Sequence, residues 1–268
     1  MGDPLSPVIL RTVPRRGAAA APITGPKACA VEIASRGADV ITYSSEKSRV
    51  EAAAPAAVAE FQKLGVRALH VQSDAGSVDT GNKLLEKIKR EFGKIDVIVN
   101  NAGGASSPIF SAAPASPLER TNSSQTSSYL HHAVYSQSIH VESEYDRIFA
   151  INTKGVFFFV TSALDLGLLQ DHGRIINITS VESRSGTPNG GVYAASKAAL
   201  EAISRSWASE LGSRNITANC VAPGPVVTAM LESGHSGEAG KAIKDWMVAT
   251  TPLGRLDQVA DIANVGDG

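Results

Sequence analysis

Cysteine is scarce: two in 268 residues, Cys29 and Cys220. So distant a pair offers neither a disulfide framework nor metal-ligand spacing, and points to a reducing, cytoplasmic setting. Net charge is nearly absent too, with 25 basic residues against 26 acidic ones. That balance removes the electrostatic case for nucleic acid or a membrane surface as partner. No apolar run approaches the roughly 18–20 residues of a membrane span. The longest candidate, "GVFFFVTSALDLGLL", is broken by Thr161, Ser162 and Asp165. "MGDPLS" fits the loose myristoylation pattern, but Asp3 and Pro4 argue against it, and "RTVPRRGAAAA" lacks the amphipathic period of a transit peptide.

What remains is a 43% hydrophobic chain of near-zero mean hydropathy, long enough for one large α/β domain. Residues 1–17 hold three prolines and no periodicity, and are expected as a disordered lead before a domain over 18–268. From there strand and helix signals alternate. "GADVITYSS" is β-branched and strand-like, and 46–64 is Ala-rich and helical, with Pro55 near a helix start. "VRALHVQSD" reads as a strand. "GNKLLEKIKREFG" is an amphipathic helix, with Leu84, Leu85, Ile88 and Phe92 on one face and Gly93 as its stop. "IDVIVNNAGG" and "GRIINITSV" are near-continuous apolar runs of the kind parallel sheets bury on both faces. A long helix is expected over 143–169, another over 192–212, and a final strand in "NITANCVAPG".

Alternation at this pitch predicts a Rossmann-like, doubly wound parallel sheet in a single domain. Ligands of such sheets bind beyond the carboxyl ends of the strands, where Asn101, Ser180 and Pro223-Gly224 fall. Residues 104–140 break the rhythm, with 12 Ser or Thr and only Glu119 and Arg120 charged. They read as a low-complexity insertion: a substrate lid, a disordered segment or a stretch of foreign reading frame. His131, His132 and His140 lie within it without an acid at ligand spacing, so no metal site is expected.

The chemistry concentrates in "NITSVESRSGTPNGGVYAASKAA". Tyr193 and Lys197 stand four apart on a helix and share a face. A phenol at its reference pKa of about 10 is a poor acid–base group at neutral pH, and a nearby ammonium favours its ionised form. Ser180, closing the preceding strand, can hold a carbonyl beside the phenol. The set describes a ketone-reduction site.

With "NNAG" (100–103), "NTKG" (152–155), Ser180, "YAASK" (193–197) and "PGPVVT" (223–228) in register, the chain resembles the short-chain dehydrogenase/reductase superfamily. It is most similar to the NADP-dependent 3-oxoacyl reductases and the fungal polyketide-type ketoreductases. The resemblance implies an NADP-dependent oxidoreductase acting on a small carbonyl or secondary alcohol, in fungal-type secondary metabolism. Tyr193 is then the proton donor. Lys197 lowers its pKa and holds the nicotinamide ribose, Ser180 orients the carbonyl, and Asn152 positions a water relaying protons from Lys197. On the cofactor, Asn101, Ala102 and Gly103 line the adenosine ribose, Asp74 the adenine, and Pro223, Gly224, Val226 and Thr228 the carboxamide. Plainer readings stay open: a helix cap for Asn152 or Thr228, and an ordinary turn for Asp74. Ser44 and Ser45 stand where NAD-binding members carry an acid, and two hydroxyls tolerate a 2′-phosphate, so NADP is preferred over NAD.

Two departures accompany the match. The family's first loop reads T-G-x-x-x-G-x-G, whereas Thr24-Gly25-Pro26 runs straight into "KACAVEIASRGADV", about five residues short. The expected first strand, "AAAAPIT", carries Pro22 where a ladder needs a donor. After "TPLGRLDQVADIANV" the chain reads "GDG" and lacks the last helix and edge strand through which the family builds homo-oligomers. A degraded first βαβ loop and a truncated C-terminal edge are therefore expected. The alternative function is a catalytically impaired or inactive member serving as a scaffold.

Overall fold

The computed structural model describes residues 8–11, 27–44, 55–56, 58–104, 142–185, 190–228, 231 and 237–263. The elements in chain order are β1 (Val8–Arg11), α1 (Lys27–Ser35), β2 (Asp39–Ser44), α2 (58–63), β3 (Ala68–Gln72), α3 (Val78–Glu91) and β4 (Ile95–Asn100). After the interruption come α4 (Glu142–Phe149), a π-helical turn (Ala150–Lys154), α5 (Gly155–Asp165), β5 (Leu169–Ile178) and the single turn α6 (Glu182–Ser185). α7 (Gly191–Glu210), β6 (Thr217–Val221), α8 (Gly237–Thr250) and α9 (Val259–Ala263) complete the described chain.

Six strands form one sheet in the order β3-β2-β1-β4-β5-β6, the doubly wound order with its reversal beside β1. The β2–β3, β4–β5 and β5–β6 pairs are parallel, as expected. Alternate side chains feed two apolar layers. Ile41, Tyr43, Ile98 and Ile175 pack with Leu84, Leu85, Ile88, Phe159 and Trp207 from α3, α5 and α7. Val40, Val99 and Ile178 pack with Ala30, Val31, Ala34 and Phe61 from α1 and α2. Helices on both faces explain why these strands read as unbroken apolar runs. The predicted face of α3 is buried as expected: Leu84, Leu85, Ile88 and Phe92 are at most 9% exposed.

The first strand differs from the sequence reading. The central slot between β2 and β4 is filled by Val8–Arg11, from the segment expected as a disordered lead, and it runs antiparallel to both neighbours. Val8 pairs with Thr42 and Val99, and Arg11 with Asp39. The physical reason is composition: "VILR" is β-branched and apolar, while "AAAAPIT" is alanine-rich and holds a proline. The latter lies outside the described residues, as does 105–141. Because β1 runs antiparallel, its last residue meets the start of β2, at the edge opposite the ends of β2 and β4.

A second correction concerns helix length. α4, the π-turn and α5 run on as one helix, Glu142–Asp165, which by length and composition alone is apolar enough to cross a membrane. The sequence reading put no run at that length. Here the helix serves the core: Val156, Phe159, Val160 and Ala163 are buried against the sheet layer. It also stops at Asp165, short of the expected 169, because Leu169 already belongs to β5.

The slot assignment is open to a direct test. Ile9→Pro removes one ladder donor from a central strand and leaves a carbonyl unpaired, worth about 1–3 kcal/mol. At this chain size the melting temperature should fall by several degrees (about 2–4 °C per kcal/mol). An unchanged melting curve would show that Val8–Arg11 does not hold the slot.

Candidate active site

The carboxyl ends of β4, β5 and β6 present three short segments side by side, and the first two turns of α7 cross beneath them. β4 runs into Asn101, Ala102, Gly103 and Gly104, with Asn101 and Ala102 buried. β5 runs into Thr179 and Ser180, both buried. Val181 N donates to Pro223 O at 3.1 Å, which joins the Ser180 segment to the one after β6.

On α7, Tyr193 is partly buried and Lys197 is 3% exposed. The Lys197 ammonium donates to the Ile178 carbonyl at 2.8 Å and lies 5.8 Å from the centre of the Tyr193 ring. Gly103 lies beside it: a Cβ there would stand at ordinary contact distance, 3.5 Å, from Lys197 Nζ. Ser180, Tyr193 and Lys197, separated by 17 positions of sequence, thus meet at one point. The structure brings together the three residues on which the sequence reading of the chemistry rests.

Burial sets their electrostatics. It pulls the Lys197 amine down from its ordinary value to about 8. The same burial pushes the Tyr193 phenol up, against the lowering expected from Lys197, whose ammonium is turned to the Ile178 carbonyl; a hydrogen bond with Ser180 opposes the rise, and the negative charge of Glu182 adds to it. One carboxylate oxygen of Glu182 is buried without a hydrogen-bond partner. At neutral pH the phenol therefore holds its proton, the state a proton donor needs.

Asn152, fully buried in the π-turn, is not a helix cap. Its Oδ1 accepts from Gly104 N at 2.7 Å, and its Nδ2 donates to Gly104 O at 2.9 Å and to Ser196 Oγ at 2.9 Å. The side chain clamps the loop after β4 onto α7 through Ser196, whose hydroxyl donates to Tyr193 O. π-turns within helices often mark functional positions, and this one aims an amide inward. Gly155 follows because α5 begins against the backbone of Ala75: a Cβ at 155 would run into that carbonyl.

The cofactor-side residues are placed in part. Asp74 follows β3, takes an N–H from Gly76 onto its Oδ1 at 2.9 Å and receives Thr80 Oγ1 on its carbonyl at 2.8 Å. It lines a cleft with Tyr43, Ser73, Ala102 and Gly155, whose open centre is about 10 Å³, room for roughly one water. Asp74 thus forms a turn and faces a cleft at once. Ser44 ends β2 opposite Gln72. Gly224 lies beside Asp257, Val226 pairs with Asp257, and Thr228 Oγ1 accepts from Leu231 N, a cap-like bond. Thr24, Gly25 and Ser45 lie outside the described residues, as do His131, His132 and His140. Among the described residues no group of His, Cys, Asp and Glu is placed to hold a metal.

Sequence reasoning missed the polar support beneath the site. Asn100 Nδ2 donates to Asn177 Oδ1 at 2.7 Å, Asn177 Nδ2 to Ser204 Oγ at 2.7 Å, and Cys220 Sγ to Ser204 Oγ at 3.1 Å. Ser196, Glu201 and Ser204 are all buried on α7. The signal was present: they fall at i, i+5 and i+8 on the helix's buried face, where apolar residues are the rule.

Fold and site together define a nucleotide-dependent oxidoreductase of the doubly wound class, and the comparisons with known proteins agree. The family described as short chain dehydrogenase matches residues 24–239, so the chain belongs to the short-chain dehydrogenase/reductase family. It is 34% identical to the hydroxynaphthalene reductase-like protein Arp2 of Metarhizium brunneum, over 89% of this chain and 81% of the relative. Among solved structures it is similar to a blue fluorescent protein from a metagenomic library in complex with NADPH. The TM-score is 0.70 at 30% identity, covering 89% of this chain and 83% of the other. It is also similar to the angucycline C-6 ketoreductase LanV with bound NADP. There the TM-score is 0.67 at 27% identity, covering 90% and 82%.

The depressed Lys197 pKa carries a stability signature. With its folded value at about 8 against an ordinary 10.5, unfolding takes up a proton between those pH values. Stability from this site therefore rises with pH across that window, by about 3 kcal/mol in all. Lys197→Met, free of this linkage, should show its most favourable stability relative to the natural chain below pH 8. Urea unfolding at pH 7 and pH 10 measures the difference, which should shrink at the higher pH.

Proposed function

We propose that this protein is an NADPH-dependent ketoreductase, reducing a ketone to a secondary alcohol or running the reverse oxidation. The observation that carries the reading is the convergence of the Ser180 hydroxyl, the Tyr193 phenol and the buried Lys197 ammonium at the mouth of the β4–β5 edge. The names hydroxynaphthalene reductase-like protein and angucycline C-6 ketoreductase support a ring-bearing carbonyl substrate, in line with the fungal-type secondary metabolism that the motifs suggest.

The residues present fit an NADP-type cofactor at its two ends. By residue type, Asp74 beside the cleft offers an acceptor for an adenine amino group and the Lys197 ammonium, next to Gly103, a donor for ribose hydroxyls, while the cleft as it stands has room for about one water. Ser44 offers no negative charge to repel a 2′-phosphate. When bound, the cofactor supplies the hydride. Everything else falls to this chain. The Ser180 hydroxyl donates a hydrogen bond to the substrate carbonyl oxygen and holds it beside the phenol. Tyr193 delivers its proton to that oxygen as the alkoxide forms. The Lys197 charge, 5.8 Å from the ring, stabilises the phenolate left behind. Asn152 keeps the Gly103–Gly104 loop seated over the amine.

The pH dependence follows from the two titrations. The Tyr193 phenol is protonated throughout the neutral range, so reduction should be flat at low pH and decline as Lys197 loses its charge through pH 8. Alcohol oxidation needs the phenolate and should climb with pH instead. Following NADPH absorbance with a panel of aromatic and aliphatic ketones from pH 6 to 9 tests this. Tyr193→Phe should lower kcat at least about 100-fold. No NADPH consumption with any ketone would count against the assignment.

One observation favours a second reading, a member with weakened cofactor grip. The strand in the first slot runs antiparallel, so it does not deliver the chain to a phosphate turn at the ligand edge. Calorimetry separates the two: NADPH binding at micromolar Kd or tighter removes the second reading, and undetectable binding favours it.

A further inference from the structure

We infer that Glu201 is a positioning residue that holds Ser180 at its working distance from Tyr193. The inference rests on the reductase reading of the site. Glu201 lies four residues after Lys197 and eight after Tyr193, on the same face of α7, and is only 6% exposed. An acid so deeply placed is rare unless its oxygens are bonded. Its partners all come from the segment that carries Ser180.

The Ser183 hydroxyl stands 2.7 Å from Glu201 Oε1 and 2.8 Å from the carbonyl oxygen of Ser180, so one proton is shared between the carboxylate and the backbone of the catalytic serine. Arg184 Nη2 donates to Glu201 Oε2 at 3.2 Å, and its largely exposed side chain screens the carboxylate from water. The Thr179 hydroxyl, on the other side of Ser180, donates to Val221 O at 3.2 Å and its dipole helps to hold the carboxylate ionised. Burial raises the carboxyl pKa, but these bonds more than offset it, and the group stays ionised.

Residues 179–184 are thus tied at two places. Toward β6, Thr179 N donates to Val221 O at 2.7 Å and Val181 N to Pro223 O at 3.1 Å. Toward α7, the side-chain bonds of Ser183 and Arg184 end on Glu201. Glu182 N meanwhile donates to Ser180 Oγ at 3.2 Å, which orients the hydroxyl. The β6 ties fix the segment's height above the sheet. The Lys197 bond to Ile178 O fixes the end of β5 against the helix, and the Glu201 ties hold the turn beyond it at a set distance from the same helix. Small errors in that distance are expensive for a proton transfer.

The test uses the full chain with Glu201→Leu, which keeps the side-chain bulk and removes both acceptors. Two readouts are taken: amide hydrogen exchange and steady-state ketone reduction with NADPH. Exchange at Val181, Ser183 and Arg184 should quicken about tenfold or more while Ile98 and Ile175 in the sheet stay as they were. The kcat should drop about tenfold or more with the KM for NADPH unchanged, and Glu201→Gln, keeping one acceptor oxygen, should fall between. Unchanged exchange at the three amides overturns the proposal, and so does a loosened turn with kcat intact. If Glu201→Leu exchanges faster everywhere, Ser183→Ala takes its place, with the same local pattern expected at smaller size and overturn if that pattern is missing. A natural chain that consumes no NADPH sinks the reductase reading alone, because the exchange pattern still decides whether Glu201 clamps Ser180.

Discussion

The Lys197 ammonium donates its 2.8 Å hydrogen bond to the Ile178 carbonyl in a place nearly closed to water. Much of the surrounding architecture is what makes that burial tolerable. A buried amine needs partners and a rigid frame, since burial favours its neutral form. β5 must end at Ile178 so that its last carbonyl is free to accept. α7 must cross close beneath, which brings the Lys197 amine into van der Waals range of Gly103.

The same constraint explains the polar stripe of α7. Ser196, Lys197, Glu201 and Ser204 are buried on a helix that would pack more simply with apolar residues there. Each is bonded to a different layer: Ser196 to Asn152, Lys197 to the end of β5, Glu201 to the turn after it, and Ser204 to Asn177 within the sheet. Such networks rigidify when their members are bonded, and each of these four side chains has a partner. The helix trades apolar packing for a fixed relation between its Tyr193 face and two strand ends, which is what a proton-transfer site requires.

Much of this was legible before any coordinates. α3 announced itself by Leu84, Leu85, Ile88 and Phe92, and β4 and β5 by apolar runs too continuous for a one-sided sheet. Tyr193 and Lys197 declared their common face through spacing alone. The first strand was not legible. Two segments compete for one slot, and "VILR" at 8–11 against a proline-bearing alanine run is settled by pairing with β2 and β4, which local patterns do not encode. The continuity of α4 and α5 was legible as one long helical stretch, but the π-turn within it was hidden for a similar reason: the extra residue per turn answers to where Asn152 points.

By itself the sequence determined the alternation of strands and helices, the parallel pairing of β2 to β3 and of β4 through β6, and which side chains, Ser180, Tyr193 and Lys197, to look for together. These depend on periodicity and residue chemistry, which are local. Tertiary structure alone decided the direction of the strand in the central slot, the pKa values of Tyr193 and Lys197, and the partners of Asn152 and Glu201. Those depend on burial and on contacts between residues far apart in the chain, and neither exists until the sheet and α7 have closed on each other.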